Sequence, residues 1–420
     1  METPPELQAI DALLSEGNLA DALGAIGALV AELPNWPKPT RDAIAYAFAE
    51  RADHAHPIVG SRFALAAGAL VEAGSDPESL GRRLRVPMAR AMRAGSRLPA
   101  LLATEQTEQT EQTELTEEEA HGEEAHDDYE GNGKSEEEED EEDEEDEEDE
   151  ANELEDAGEE IRIPIGDRVL DLHTLDRLNE EDPEALVAYD SLDAWYRPAV
   201  AVWTRAPSVL ASVQKDPEFL AALATLGTSC ACAYWVSNLM KLLLDAPFVA
   251  LFPELDEAWA FTVSGCADIG QLSVLLSAAL EAPLERIGVA RASDAMLAVM
   301  RGEGDQSQNV LTYSSSMRIY PWQSIDPSDF HPRDGMFTWL APGGSGHHSL
   351  PSDFLPGDIT PLADGVRVLS IVGPRGPGLA LSRVLSGVRA FEALKARIMN
   401  PRLLSAAETA AYKNAIRSNS

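Results

Sequence analysis

Apolar residues recur every three or four positions through the first hundred residues of the chain. Leu7, Ile10 and Leu14 share one helical face, and later runs repeat this spacing between breaks at proline or glycine. Asp76 followed by proline is the typical start of a further helix. The pattern predicts an all-α helical region over residues 1–103.

The pattern of apolar positions stops abruptly at Thr104. Residues 104–160 contain 32 acidic residues and one base, Lys134, and every residue from 136 to 150 is Glu or Asp. This segment carries −31 of the formal charge of −41 and leaves −10 for the rest of the chain. Because such a segment buries too little apolar area to offset the entropy of ordering, we predict a disordered polyacidic linker.

Helical and strand-like patterns are mixed after the acidic segment. The run Ile161–Ile165 predicts a short strand, and helical spacing then dominates to about residue 257, including a long helix over Pro217–Leu244. Further strands are predicted over Trp259–Val263, Val310–Tyr320, Met336–Leu340 and Val366–Val372. Two helices, Leu379–Ile398 and Ser405–Ile416, follow these strands.

The chain is 44% hydrophobic, which is enough to form a core on both sides of the acidic segment. We expect residues 161–420 to form one α+β domain, helical in its first half, with strands within about 258–372 and helices at its C-terminal end. The predicted fold class of the whole protein is α+β with helix in the majority.

Three passages resemble a group of uncharacterised bacterial proteins, mainly actinobacterial and myxobacterial. They are FALAAGALVEAGSDPESL (63–80), LFPELDEAWAFTVSGCADIGQLSVLLSAAL (251–280) and LPGDITPLADGVRVLSIVGP (355–374). That group carries Asn, Phe and His around the position of Gln271, where this chain has Ile269, Gly270 and Ser273. The resemblance implies no activity, and it supports treating 1–103 and 161–420 as parts of one protein.

A basic stretch without any acid spans residues 82–97. It contains Arg82, Arg83, Arg85, Arg90, Arg93 and Arg97. One interpretation is a docking surface for an anion, whether nucleic acid, a partner or the protein's own acidic segment. The other is a solvated helix face beside the apolar stripe of Leu84, Met88 and Met92, since arginine stems often cover the edge of a core.

Candidate nucleophiles and bases are concentrated in one later loop region. His331, His347, His348, Ser349 and Asp353 are the residue types that nucleophilic hydrolysis uses. Their spacing matches neither the G-x-S-x-G turn nor a helical pair of metal-binding histidines. We therefore read the region as a surface loop first and as the site of an unrecognised hydrolytic enzyme second, and we predict no metal site and no cofactor.

The remaining candidate site residues are the three cysteines and one glycine-rich turn. Cys230 and Cys232 are placed in the middle of the predicted long helix, so their thiols should point apart and serve, like Cys266, as small buried residues. The turn Gly373–Gly378 resembles a phosphate-binding turn, but its two prolines remove backbone donors that such a turn would use.

The sequence indicates an interaction protein of the cytoplasm. Its first residues lack the base and apolar run of a signal peptide, no apolar run reaches the length of a membrane helix, and three cysteines are too few for a disulfide framework. We expect a non-enzymatic accessory protein that binds a protein partner through the acidic linker and the adjacent arginines, and a basic protein is one candidate for this partner. Nucleic acid is not expected at the acidic segment, no membrane partner is expected, and no small-molecule ligand can be named.

Overall fold

The computed structural model describes residues 5–32, 35–54, 56–99, 101–102, 163–165, 168–170, 172–227, 229–303, 310–315, 317–322, 355–373, 379–384 and 390–419. Its helices are α1 Pro5–Ser15, α2 Leu19–Glu32, α3 Lys38–Arg51, α4 Pro57–Glu72, α5 Pro77–Gly95, α6 Leu172–Glu181, α7 Pro183–Ser191, α8 Asp193–Trp203, α9 Pro207–Val213, α10 Pro217–Leu226, α11 Ala231–Lys241, α12 Ile269–Ala279, α13 Glu281–Arg286, α14 Asp294–Met300 and α15 Ala406–Asn419. Its strands are β1 Ile163–Ile165, β2 Arg168–Leu170, β3 Ala246–Phe252, β4 Glu257–Ser264, β5 Val310–Ser315, β6 Arg318–Pro321, β7 Arg367–Val372, β8 Leu379–Val384 and β9 Arg397–Leu403.

A first hydrophobic core is built from helices on both sides of the acidic segment. It extends from Leu7 in α1 to Leu242 after α11 and also takes in Phe391 and Leu394. Helix α4 packs against α8, and α5 packs against α7, α8 and α10. The described residues are therefore not divided into separate cores at the acidic segment.

Proline and aspartate set the beginnings of several of these helices. Proline occupies the first position of α4, α5, α7, α9 and α10, where its missing N–H removes no helical hydrogen bond. The carboxylates of Asp76, Asp182 and Asp216 accept hydrogen bonds from the first backbone N–H groups of α5, α7 and α10. These caps fix the residue at which each helix begins and allow short connections between neighbouring helices.

A second hydrophobic core surrounds a five-stranded sheet with the order β6-β7-β3-β4-β9. Strands β3 and β7 are parallel, and the other pairs are antiparallel. Phe248 in β3 lies opposite Phe261 in β4, and their rings stack with centroids 5.8 Å apart. Helix α12 is buried along most of its length in this core, which explains why its sequence has no polar face.

The structure confirms the predicted fold class, an α+β protein with helix in the majority, an all-α N-terminal region and a mixed C-terminal part. Strands β4 and β7 and helix α15 confirm three predicted elements, while the segment predicted as the strand Val310–Tyr320 forms β5 and β6. The acidic segment 104–160 and the predicted strand Met336–Leu340 lie outside the described residues.

Two predicted helices are wrong. The segment Pro217–Leu244 forms α10 and α11, and Gly227, with a φ of 58°, ends the first of them. Strand β3 follows directly, within the part expected to be helical. Residues 379–398, predicted as one helix, contain β8, a 3₁₀ turn at Glu392–Leu394 and the start of β9.

Candidate functional site

The candidate catalytic residues do not come together in the described structure. His331, His347, His348, Ser349 and Asp353 all fall within residues 323–354, which lie outside the described residues. Of the predicted site region 331–358, the structure describes residues 355–358. The carboxylate of Asp358 forms an ion pair with Lys241 at 2.9 Å. The hydrolytic alternative therefore stays a prediction.

Most arginines of the stretch 82–97, in α5 and just after it, form ion pairs with carboxylates of the same helical body. The pairs are Arg82 with Glu78 at 3.3 Å, Arg83 with Glu50 at 3.4 Å, Arg85 with Asp216 at 2.9 Å, Arg90 with Asp53 at 2.7 Å and Arg97 with Asp182 at 3.0 Å. Arg93 has no ion-pair partner among the residues that the structure describes. The positive charge of this surface is thus largely matched within the fold.

Two of these pairs join α5 to helices that follow the acidic segment. Asp216 caps α10 with Oδ1, which accepts from the N–H of Phe219 at 3.2 Å, while its Oδ2 lies 2.9 Å from Arg85. Asp182 caps α7 in the same way and binds Arg97 through Oδ2. A hydrogen bond to Glu184 further raises the pKa of Arg97. These arginines have a role in the fold, and their binding to an external anion remains a prediction.

The cysteines occupy a different place from the one predicted. Cys230 is not in the middle of a helix but is the N-cap of α11, where its Sγ accepts a hydrogen bond from the N–H of Ala233 at 3.4 Å. Cys232 and Cys266 are buried, and all three thiols are free. Burial raises the pKa of each thiol, so all are protonated at neutral pH and poorly suited to act as nucleophiles.

The glycine-rich turn after β7 is described only at its first residue. The N–H of Gly373 donates to Oε1 of Glu254 at 3.2 Å, so a carboxylate of the protein uses this donor. Residues 374–378 lie outside the described residues.

A cleft of about 560 Å³ lies between α4, α8, α11 and the segment 390–393. Gly68 of α4 lies against Pro198 of α8 at its base, where an added Cβ would come within 2.8 Å of the Cα of Pro198. Segment 390–393 is held by Phe391, whose ring is buried against Trp235. The cleft therefore lies where the segment that leads into β9 packs on the helical core.

Aromatic side chains line one wall of this cleft and continue beyond it. The rings of Tyr196 and Trp235 stack at an interplanar angle of 17° with centroids 6.4 Å apart. Tyr234 meets Trp235 edge to face and is 49% exposed. Tyr and Trp present large, rigid surfaces with a polar tip, so this group offers an accessible aromatic patch.

Four charged side chains line the same cleft without forming an ion pair within the described ranges. They are Arg197 and Arg205 at α8, Glu72 of α4 and Glu392. The Nε of Arg197 is 3.4 Å from the hydroxyl of Tyr196, a hydrogen bond that raises the pKa of the arginine, and Nη1 of Arg205 donates to the carbonyl oxygen of Ala201 at 2.9 Å. The guanidinium groups keep further donors for a ligand.

Sequence reasoning missed this cleft because its residues come from four separate segments. The one local signal is the stretch from Trp195 to Arg205, in which two tryptophans, a tyrosine and two arginines occur within one helix and its end. Such a stretch looks like an ordinary amphipathic helix until its neighbours are known.

The described residues contain neither a membrane-spanning helix nor a metal-binding cluster. None of the helices there combines the length and the apolar character needed to cross a bilayer. Across the same part of the chain, no three His, Cys, Asp or Glu side chains converge in an arrangement that could hold a metal ion.

Comparisons of the chain with protein-family models, with curated proteins and with solved structures give no match. The resemblance of residues 63–80, 251–280 and 355–374 to uncharacterised bacterial proteins therefore remains a prediction.

Proposed function

We propose that this chain is a non-enzymatic interaction protein of the cytoplasm that binds a protein partner at the cleft between α4, α8 and α11. The observation that carries the proposal is the accessible group of Tyr196, Tyr234 and Trp235 beside Arg197 and Arg205. Trp, Tyr and Arg are the residue types that contribute most of the binding energy at protein interfaces.

The shape of the aromatic group supports a macromolecular partner. Tyr234, which is 49% exposed, does not line the cleft itself and extends the aromatic patch past its rim. A stable interface buries about 800 Å² on each partner, so the cleft would form the centre of a larger contact. Arg83 and Val86 of α5 belong to a separate surface.

The acidic segment and the arginines of α5 are proposed as additional contacts. A run of carboxylates attracts a basic partner from a distance and raises the association rate at low salt. The α5 arginines would bind an external anion in competition with the carboxylates that they already contact. For this reason the cleft, whose arginines lack such carboxylates among the described residues, is the stronger candidate.

The proposal is tested by capture from an extract of the source organism with the immobilised full chain. Arg205→Ala removes a side chain that lines the cleft, and Tyr234→Ala removes the exposed ring beside its rim. Tyr46→Ala serves as a matched control on α3, since Tyr46 is also exposed. We expect a protein to be retained by the parent and by Tyr46→Ala and to be lost with both cleft variants, each of which should keep the parent's thermal unfolding midpoint. Equal retention by all four proteins contradicts the proposal.

A further inference from the structure

The charged side chains of the cleft come from different segments. Arg197 belongs to α8 and Arg205 follows its end, whereas Glu72 ends α4 and Glu392 lies on segment 390–393. The stacked rings of Tyr196 and Trp235 lie in the same lining. The cleft thus combines two guanidinium groups, two carboxylates and an aromatic surface.

From this arrangement we propose that the cleft recognises a peptide segment of the partner that carries one acidic and one basic side chain on either side of an apolar or aromatic one. The acidic side chain binds Arg197 and Arg205, the basic side chain binds Glu72 and Glu392, and the apolar side chain packs on Tyr196 and Trp235. This inference rests on the proposed function and specifies the chemistry of the partner.

Electrostatics disfavour a ligand with charges of a single sign. A purely acidic segment, such as a run of glutamates, would place carboxylates near Glu72 and Glu392, and a purely basic segment would meet two guanidinium groups. Like charges brought together at an interface cost free energy and exclude wrong partners. A segment with both charges satisfies all four side chains, none of which has an ion-pair partner in the described structure.

The aromatic geometry favours a peptide over a small planar anion. Tyr196 and Trp235 stack with one another, whereas the ring of Tyr234 stands at 82° to that of Trp235, so the aromatic surface is stepped and not one open plane. A step of this kind accommodates a branched or aromatic side chain and the backbone beside it. ATP, a planar anion of suitable size for a cleft of about 560 Å³, is the probe for the competing ligand class.

The test is selection from a phage-displayed library of random 12-residue peptides on the immobilised full chain and, separately, on its Arg205→Glu variant. Peptides enriched on the parent are expected to carry an acidic and a basic residue flanking Leu, Phe or Trp. On Arg205→Glu the selected acidic residue should be replaced by Lys or Arg, an exchange that a merely structural role of Arg205 would not produce.

A synthetic peptide from the parent selection then gives the magnitude. Its Kd, measured by fluorescence anisotropy, should rise at least about tenfold with Arg205→Glu, which corresponds to about 1.4 kcal/mol. It should be unchanged with Arg286→Glu, a charge reversal at an exposed arginine of α13, which neither lines the cleft nor belongs to the proposed contacts. If Arg205→Glu fails to fold, Glu72→Arg takes its place and should select a second acidic residue instead of the basic one.

Four results overturn the inference. The first two come from the selection: no peptide is enriched, or the enriched peptides carry charges of one sign. The other two come from the binding measurements: neither Arg205→Glu nor Glu72→Arg changes peptide binding, or ATP displaces the peptide. If capture from the extract still depends on Tyr234 in any of these cases, the interaction function stands and only the partner chemistry is wrong. If that dependence is absent as well, both proposals fall.

Discussion

The indole Nε1 of Trp203 donates a hydrogen bond to the carbonyl oxygen of Gly81, 3.1 Å away, and both groups are buried. The acidic segment lies between these two residues along the chain. Gly81 has no side chain to separate α5 from the indole, and an added Cβ would come within 3.1 Å of the ring. Helices on the two sides of the acidic segment therefore depend on each other for burial and for hydrogen bonding.

This dependence predicts that the chain can be split without separating its parts. Fragments 1–130 and 131–420, expressed together, should co-purify through size-exclusion chromatography, because the helices of both contribute to one core. Residues 1–103 alone should show no cooperative thermal unfolding by circular dichroism, because the apolar surfaces of α4 and α5 would be exposed.

Trp203→Ala in the larger fragment is the corresponding test of the contact. Removal of a buried tryptophan costs about 3–5 kcal/mol, so this fragment should bind 1–130 much more weakly. A cooperative, stable 1–103 fragment would show that the shared core is dispensable.

The crossing of α4 and α8 beneath the cleft gives a second prediction. Gly68→Ala should destabilise the protein by about 1–3 kcal/mol, because the added methyl would come within 2.9 Å of both Cα and Cβ of Pro198. Gly27→Ala is the matched control: Gly27 is an exposed residue of α2 with no atom near the added methyl. That change should stabilise the protein by up to about 1 kcal/mol. Urea denaturation measures both, and equal effects of the two changes would refute the close packing.

Burial of the thiols gives a prediction for pH. The pKa of Cys230, Cys232 and Cys266 is raised by burial, which favours the protonated thiol in the folded state. The resulting stabilisation is fully present below the unfolded thiol pKa of about 8.5, and it is lost as the pH rises above this value toward the raised folded pKa. The free energy of unfolding should therefore fall between about pH 8 and pH 10, the window set by the unfolded thiol pKa. This fall should be steeper in the parent than in the double variant Cys232→Ala/Cys266→Ala.

Labelling with a thiol reagent provides the accompanying measurement. At pH 7 Cys230, which is only partly buried, should react first, and Cys232 and Cys266 should react only on unfolding. Fast reaction of Cys266 in the native protein, or identical pH slopes for parent and variant, would contradict the burial argument.

The ion pair between Arg85 and the N-cap of α10 gives a fourth prediction. Arg85→Ala should lower the free energy of unfolding by about 0.2–1 kcal/mol, because Asp216 loses its cationic partner while keeping its capping bonds. The loss should shrink in high salt. Arg93→Ala, at an arginine without an ion pair among the described residues, should leave stability unchanged. A salt-independent loss at Arg85 would indicate packing by its alkyl stem instead of charge.

Local patterns predicted the helices and the alternating strands, and they failed where tertiary burial decides the structure. The run Ala246–Phe252 is apolar on both faces because β3 lies inside the sheet, so it has no alternation to distinguish it from a buried helix. Residues 379–384 and 397–403 contain helix-favouring residues, but pairing of β8 with β5 and of β9 with β4 overrides that preference.

The candidate site was less accessible to sequence reasoning than the fold. The arginines of 82–97 were found because they are close together in the sequence, whereas carboxylate partners such as Asp182 and Asp216 lie at the starts of helices beyond the acidic segment. Tyr196 and Trp235 are 39 positions apart, and only the packing of α8 on α11 brings their rings together. No spacing rule connects residues that meet through tertiary packing alone.

The shared core also defines the topological role of the acidic segment. Leu102 before it and Leu175 after it are buried in the same core, so the intervening residues form a closed insertion and not a tether between independent bodies. For an insertion with the flexibility that its sequence predicts, each doubling of length costs only about 0.6 kcal/mol of closure entropy. The number of carboxylates it carries can therefore vary widely among variants of this chain while the folded body stays nearly as stable.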